Sequence, residues 1–156
     1  LLFKEQWGIM KEIKFALVGC GRISAKHFEA IEKIENARIS CCCDLVESRA
    51  LEAQKKYHID NYYTDYVTML ENEDVDAVLI CTPSGLHPEM GIQAADRRIN
   101  VVTEKPMGID LESADKLVKS CDHNHVKLFG LIYDMTIRMC FFINTSIQQV
   151  FIFPTD

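Results

Sequence analysis

The sequence predicts an α/β fold, a doubly wound and mainly parallel Rossmann sheet, on three observations. Apolar runs of strand length alternate with stretches of helical period along most of the chain. The first run, residues 14–18, stops at Gly19-Cys20-Gly21, after which the period changes to that of a helix. An acidic residue, Asp44, closes the next predicted strand. A buried strand feeding a Gly-x-Gly turn and then a helix gathers backbone amides and the positive end of the helix dipole at one point, where a pyrophosphate can sit.

Composition sets the limits. The chain has 156 residues and is 48% hydrophobic, enough for one good core and one full-sized domain. Its 17 basic and 23 acidic residues give a net charge of -6, with no Lys/Arg block to neutralise a phosphate backbone, which argues against nucleic acid as a partner. The seven cysteines are odd in number, three are consecutive, and no secretory signal precedes them, so a reducing cytoplasm is the expected location. Residues 1–11 carry no strand or helix period and read as a tail outside the domain, with Met10 as the natural start. They are too short and too mixed for a signal peptide or a membrane span.

The elements follow in order. Residues 14–18 read as a buried parallel strand, and Ile23, His27, Ala30, Ile31 and Ile34 then share one helical face. Residues 37–43 are the second strand, with Cys41, Cys42 and Cys43 as small apolar fillers; alternate residues of a strand point apart, which speaks against the triplet as a metal site. Residues 46–57 form the second helix, with Ala50, Leu51 and Ala53 inward, followed by a short strand at Tyr62-Tyr63. Thr64 or Asp65 caps a brief helix carrying Val67 and Leu70, and residues 75–81 form a strand that ends in Thr82-Pro83-Ser84-Gly85.

Pro88 suits the first turn of the next helix, and Arg97-Arg98 its C-terminal end. Residues 100–103 are a strand running into Glu104-Lys105-Pro106-Met107-Gly108. Asp110 then caps a helix with Leu111, Ala114, Leu117, Val118 and Cys121 on one stripe, and residues 126–129 are one more strand. In such a sheet, ligands bind beyond the carboxyl ends of the strands, which is where Gly19-Gly21, Asp44, Thr82-Gly85 and Glu104-Lys105 all fall.

Gly19-Cys20-Gly21-Arg22-Ile23-Ser24 has Ser24 where the third glycine of the dinucleotide fingerprint would stand. Asp44 lies at the spacing where a carboxylate can accept both hydroxyls of an adenosine ribose. No basic residue adjoins it to welcome a 2′-phosphate, so NAD is preferred over NADP. His27 reads as a packed, hydrogen-bonded histidine; His58, His123 and His125 read as capping or solvent-facing. No metal-ligand spacing or Ser/His/Asp set stands out.

The glycine turn followed by His27, Cys43-Asp44, Cys81-Thr82-Pro83-Ser84-Gly85-Leu86-His87 and, most specifically, Glu104-Lys105-Pro106 together resemble the N-terminal half of the Gfo/Idh/MocA oxidoreductase family over residues 14–129. Within it, the runs 15–23 and 82–87 look most like the UDP-N-acetylglucosamine 3-dehydrogenase branch. The resemblance implies NAD-dependent hydride transfer from a ring hydroxyl carbon of a sugar or nucleotide sugar, with Lys105 as the catalytic residue. It also implies cofactor contacts from Gly19, Gly21, Arg22, Ile23, Asp44, Thr82, Pro83, His87, Glu104 and Lys105, with Thr82, Pro83 and His87 along the nicotinamide side and Pro106 setting the exit that aims Lys105, the isomer of its peptide bond being left open.

Family members continue into an antiparallel α/β domain that supplies substrate contacts and a homo-oligomer interface, for which this chain has no room. The domain is therefore expected over residues 12–129. In residues 130–156 only Asp134, Arg138 and Asp156 are charged, against 26% for the whole chain. That break predicts an aberrant tail, from a frameshift or truncation, and Asp134, Arg138 and Asn144 argue against a membrane helix there. A non-catalytic NAD-binding module is the alternative function. A methyltransferase fits less well, because Glu104-Lys105-Pro106 has no role in one.

Overall fold

The computed structural model describes residues 12–133, 138–142 and 150–153; residues 1–11, Asp134, Asn144 and Asp156 lie outside these. Its strands are β1 (Ile13–Val18), β2 (Ala37–Cys43), β3 (Asn61–Tyr63), β4 (Ala77–Ile80), β5 (Asn100–Thr103), β6 (Leu128–Tyr133), β7 (Arg138–Phe142) and β8 (Val150–Phe153). They form one sheet in the order β3-β2-β1-β4-β5-β6-β7-β8. The first six are parallel, while β7 pairs antiparallel with β6 and β8 with β7. The expected doubly wound sheet is present, and its order reverses between β1 and β4. Open α/β sheets bind their ligands at such a switch point, beyond the carboxyl ends of the strands. β6 runs through residue 129, where the composition breaks, and on to Tyr133.

The helices are α1 (Ser24–Ile31), α2 (Glu47–Tyr57), α3 (Tyr66–Asn72), α4 (His87–Ala95) and α5 (Leu111–His123), with a single 3-10 turn at Ser84–Leu86 ahead of α4. Strand alternation divides the core between them. Ala16, Val18, Cys41, Cys43, Val78 and Ile80 pack with Tyr66 and Met69 of α3, Ala94 of α4 and Leu117 of α5. Leu17, Cys42, Leu79 and Cys81 face the other way, onto Phe28 and Ile31 of α1 and Ala53 of α2. The cysteine triplet thus splits between two cores as buried filler. Burial pushes the Cys41 and Cys43 thiols up to about 12, which keeps them protonated and inert.

Several expected inward positions are corrected. On α1 the buried residues are Ser24, His27, Phe28 and Ile31, not Ala30 and Ile34. The helix ends at Ile31, so Ile34 lies beyond the last helical turn, while Phe28 stacks on Tyr57 with ring centroids 4.2 Å apart. Leu111 is 85% exposed, because it opens α5 before the buried stripe at Leu117 and Cys121 begins. Val67 is exposed and Leu51 half-buried; Tyr66, Met69 and Leu70 take the inner face of α3. Arg97 and Arg98 follow the end of α4 at Ala95, and Arg98 adopts a left-handed φ of 61° that turns the chain into β5.

Both expected aspartate caps form: the Thr68 amide donates to Asp65 at 2.7 Å, and the Ser113 amide to Asp110 at 2.7 Å. The Ser113 backbone N–H, followed by its hydroxyl, holds the Asp110 carboxyl below the ordinary carboxylate range. A depressed folded-state value means that this stability is present above the unfolded value, about 3.9, and is lost as pH falls through the folded one. Asp110→Ala is therefore expected to melt below the wild type near neutral pH, with the gap closing in acid. A gap that persists at the lowest pH tolerated would show that the charge contributes nothing.

Candidate cofactor site

The site lies at the carboxyl ends of β1, β2, β4 and β5. After Val18 the Gly19 amide donates to the Cys43 carbonyl at 2.8 Å, and the Cys81 amide donates to the Val18 carbonyl at 2.7 Å. The turn is thereby fastened to both neighbouring strands. Gly19 has φ +90°, and a Cβ there would stand 2.7 Å from the Cys81 carbonyl carbon and oxygen. Only glycine fits this position. Gly21 is the opposite case: a Cβ there would meet nothing within 4 Å, so the backbone opens onto free space that a ligand can approach closely.

Helix α1 begins just beyond, with no side-chain cap and no acidic residue in its first turn; the Ser24 and Lys26 amides donate to the Gly21 and Ile23 carbonyls, and the positive dipole end faces outward, where an anion is favoured. Ser24, in place of the third glycine, is buried and donates its hydroxyl to the Gly21 carbonyl at 2.6 Å, closing the turn from below. Arg22 is exposed and Ile23 half-buried beside it. Cys20 packs over the α1 side of the core, and its thiol is pushed up first by a hydrogen bond with Cys42 and then by burial and nearby Asp44.

Asp44, half-buried at the end of β2, accepts the Cys20 amide on Oδ2 and the Val46 amide on Oδ1, each at 2.8 Å. The carboxylate ties the glycine turn to the start of α2, a role its spacing in the sequence did not disclose. Each oxygen keeps a further lone pair, so it can still receive a ribose hydroxyl.

The other wall comes from β4 and β5. Thr82 is half-buried, with its hydroxyl 3.5 Å from the Met90 sulfur, and Pro83 is exposed. His87, expected along the nicotinamide side, is only 1% exposed and turns its ring into the protein. Its Nε2 lies 2.7 Å from the Thr82 carbonyl oxygen and its Nδ1 2.9 Å from that of Pro106. Glu104 is also buried: its Oε1 meets His27 Nε2 at 2.5 Å and its Oε2 accepts the Lys105 amide at 3.2 Å. Lys105 is exposed, and among the described residues no carboxylate pairs with its ammonium; the ion pair with Glu104 that a surface lysine would make is absent. The Lys105-Pro106 bond, whose isomer the sequence leaves open, is cis.

The residues present fit a dinucleotide: open space over Gly21, the N-terminus of α1 without a side-chain cap, a carboxylate bonded to the glycine turn, and an exposed lysine after β5 on the same edge. Among the described residues no group of three His, Cys, Asp or Glu side chains could hold a metal ion, and no helix is long and apolar enough to cross a membrane.

Comparison with known proteins agrees. Residues 13–131 match the profile of an oxidoreductase family described by its NAD-binding Rossmann fold. The chain is 30% identical over 117 residues to the myo-inositol 2-dehydrogenase of Thermotoga maritima, covering 75% of this chain and 35% of that protein. The WlbA dehydrogenase from Bordetella pertussis, solved with NADH and UDP-GlcNAcA, superposes with a TM-score of 0.76 at 36% identity, covering 78% of this chain and 37% of that one. The scyllo-inositol dehydrogenase from Lactobacillus casei, solved with NAD(H) and scyllo-inositol, gives 0.73 at 29% identity, covering 77% and 36%. The chain spans about a third of the length of these relatives. With its Gly-x-Gly turn, Asp44 and Glu104-Lys105-Pro106 on one sheet edge, it belongs to the Gfo/Idh/MocA oxidoreductase family and folds as the NAD-binding Rossmann domain of that family.

Proposed function

We propose that this chain is the cofactor-binding half of an NAD-dependent oxidoreductase acting on a sugar or nucleotide sugar. The observation that carries the reading is the placement of an exposed Lys105, unpaired among the described residues, on the same edge as the glycine turn, while its neighbour Glu104 is buried beneath it. NAD, when bound, accepts a hydride from the carbon bearing a ring hydroxyl. The α1 amides and the free space over Gly21 receive the pyrophosphate, and Asp44 accepts the adenosine ribose hydroxyls. The Lys105 ammonium would donate to the substrate hydroxyl oxygen, orienting it and stabilising the negative charge that develops there as the hydroxyl proton passes to solvent and the carbonyl forms. Likeness to a dehydrogenase solved with UDP-GlcNAcA supports a nucleotide sugar, and likeness to inositol dehydrogenases supports a polyol ring. A homo-oligomer and a cytoplasmic location belong to the same reading.

NADH titration followed by fluorescence, paired with NADH formation from NAD and either UDP-GlcNAcA or myo-inositol, tests this. Expected are saturable NADH binding, unchanged in Lys105→Ala, and turnover that Lys105→Ala abolishes. Binding without turnover on any sugar favours the second reading, a non-catalytic NAD-binding module. No NADH binding at all would sink both. Residues 12–129 are read as the cofactor domain and 130–156 as a segment of other origin; a family-like continuation in another coding frame past residue 129 is the expected sign.

A further inference from the structure

Two buried histidines grip the segment that carries Lys105, one from each side. His27 projects from α1, six residues past Gly21, and meets Glu104 Oε1; the other Glu104 oxygen accepts the Lys105 amide. His87 is the first residue of α4, five residues past Thr82, and its ring bridges the Thr82 and Pro106 carbonyl oxygens. Lys105 therefore sits between two anchored neighbours, with its own side chain left outside. Each anchor comes from the helix that directly follows one of the two cofactor loops.

Burial gives these contacts consequence. His27 is 9% exposed and Glu104 5%. A carboxylate taken this far out of water needs a partner, and one hydrogen-bonded to both a ring nitrogen and a backbone amide is held in one orientation. The Glu104 amide also donates to the Ile80 carbonyl at 2.9 Å, so the residue is fixed to β4 as well. On the other side, a neutral imidazole has one N–H and donates to only one of two carbonyls, whereas an imidazolium donates to both. The hydrogen count on His87 therefore decides how many of the two loops its ring holds by donation.

We propose that His27 and His87 are positioning residues that aim Lys105 at the cofactor: His27 acts through Glu104 on the Lys105 backbone, His87 through the Pro106 carbonyl and the Thr82 loop. The proposal rests on the reading of Lys105 as facing bound NAD. Because His27 lies on the helix whose first turn is read as receiving the pyrophosphate, occupancy of that turn and the stance of Lys105 are linked through the buried His27–Glu104 contact.

The test uses the full chain with lysines carbon-13 methylated, the Lys105 signal being identified by its loss in Lys105→Ala. In the wild type, NADH is expected to shift this signal. His27→Leu and His87→Leu are expected to lose the shift while still binding NADH, and His27→Gln, which can still donate to Glu104, is expected to keep it. A histidine that only fills space would change the melting temperature and leave the NADH-induced shift intact in the leucine variants; that result overturns the proposal and spares the Lys105 reading. NADH binding that never moves the wild-type signal overturns the Lys105 reading and the proposal with it. Should a leucine variant not fold, the shorter polar variants His27→Asn and His87→Asn, whose amides cannot reach the Nε2 position, decide by the same readout: loss of the shift supports the proposal and an unchanged shift overturns it.

Discussion

Gly19→Ala is expected to destabilise the domain by about 2–6 kcal/mol, combining about 1–3 for a side chain at positive φ with about 1–3 for overpacking. The new methyl would lie 2.7 Å from the Cys81 carbonyl group and 2.9 Å from the Thr82 amide, both backbone atoms that no rotamer change can move. Relief requires β1 and β4 to part, and the Cys81 amide bond to the Val18 carbonyl at 2.7 Å is the first contact affected. Gly21→Ala is the matched control. Its methyl enters open space, so denaturant unfolding should match the wild type while NADH binding falls, since that space is where the pyrophosphate approaches. Equal melting of the two variants would refute the distinction between a glycine required by the fold and one required by the ligand.

Asp44→Ala is expected to weaken NADH binding roughly 100-fold, taking about 1.5 kcal/mol for each of two charge-assisted bonds to ribose hydroxyls. NADPH binding should fall far less, because the same change removes a charge that repels a 2′-phosphate. The ratio of the two affinities is therefore the decisive measurement. The variant also strands the Cys20 and Val46 amides, which now donate to Asp44 at 2.8 Å each. Asp44→Asn keeps one carbonyl oxygen for them and separates the two roles: a variant that regains stability but not the NADH preference confirms that the charge serves the ligand. A proportional loss of NADH and NADPH in Asp44→Ala would instead mean that the residue acts only by tying the turn.

Local patterns in the sequence were the most legible. β2 and β5 fall on the residues their apolar runs mark, and Asp65 and Asp110 cap the helices they precede. Strand period, cap chemistry and glycine turns depend on neighbours within a few residues, so they can be read from one chain. Helix faces were harder. Extending the α1 period to Ile34 assumed a helix that stops at Ile31, and Phe28 is inward because Tyr57, on a different helix, offers it a ring to stack on.

The sequence by itself determined the order of strands and helices through β6, the turn that can hold a pyrophosphate, the carboxylate that follows it and the tripeptide carrying Lys105; the antiparallel β7 and β8 were not among its expected elements. Only the tertiary structure decided where the polar side chains point. Glu104 is turned inward onto His27, 77 positions away, and His87 faces two carbonyls instead of the cofactor crevice. No local pattern encodes such pairs: a buried carboxylate takes whichever donor the folded sheet brings within reach, and folding here brings a histidine from helix α1.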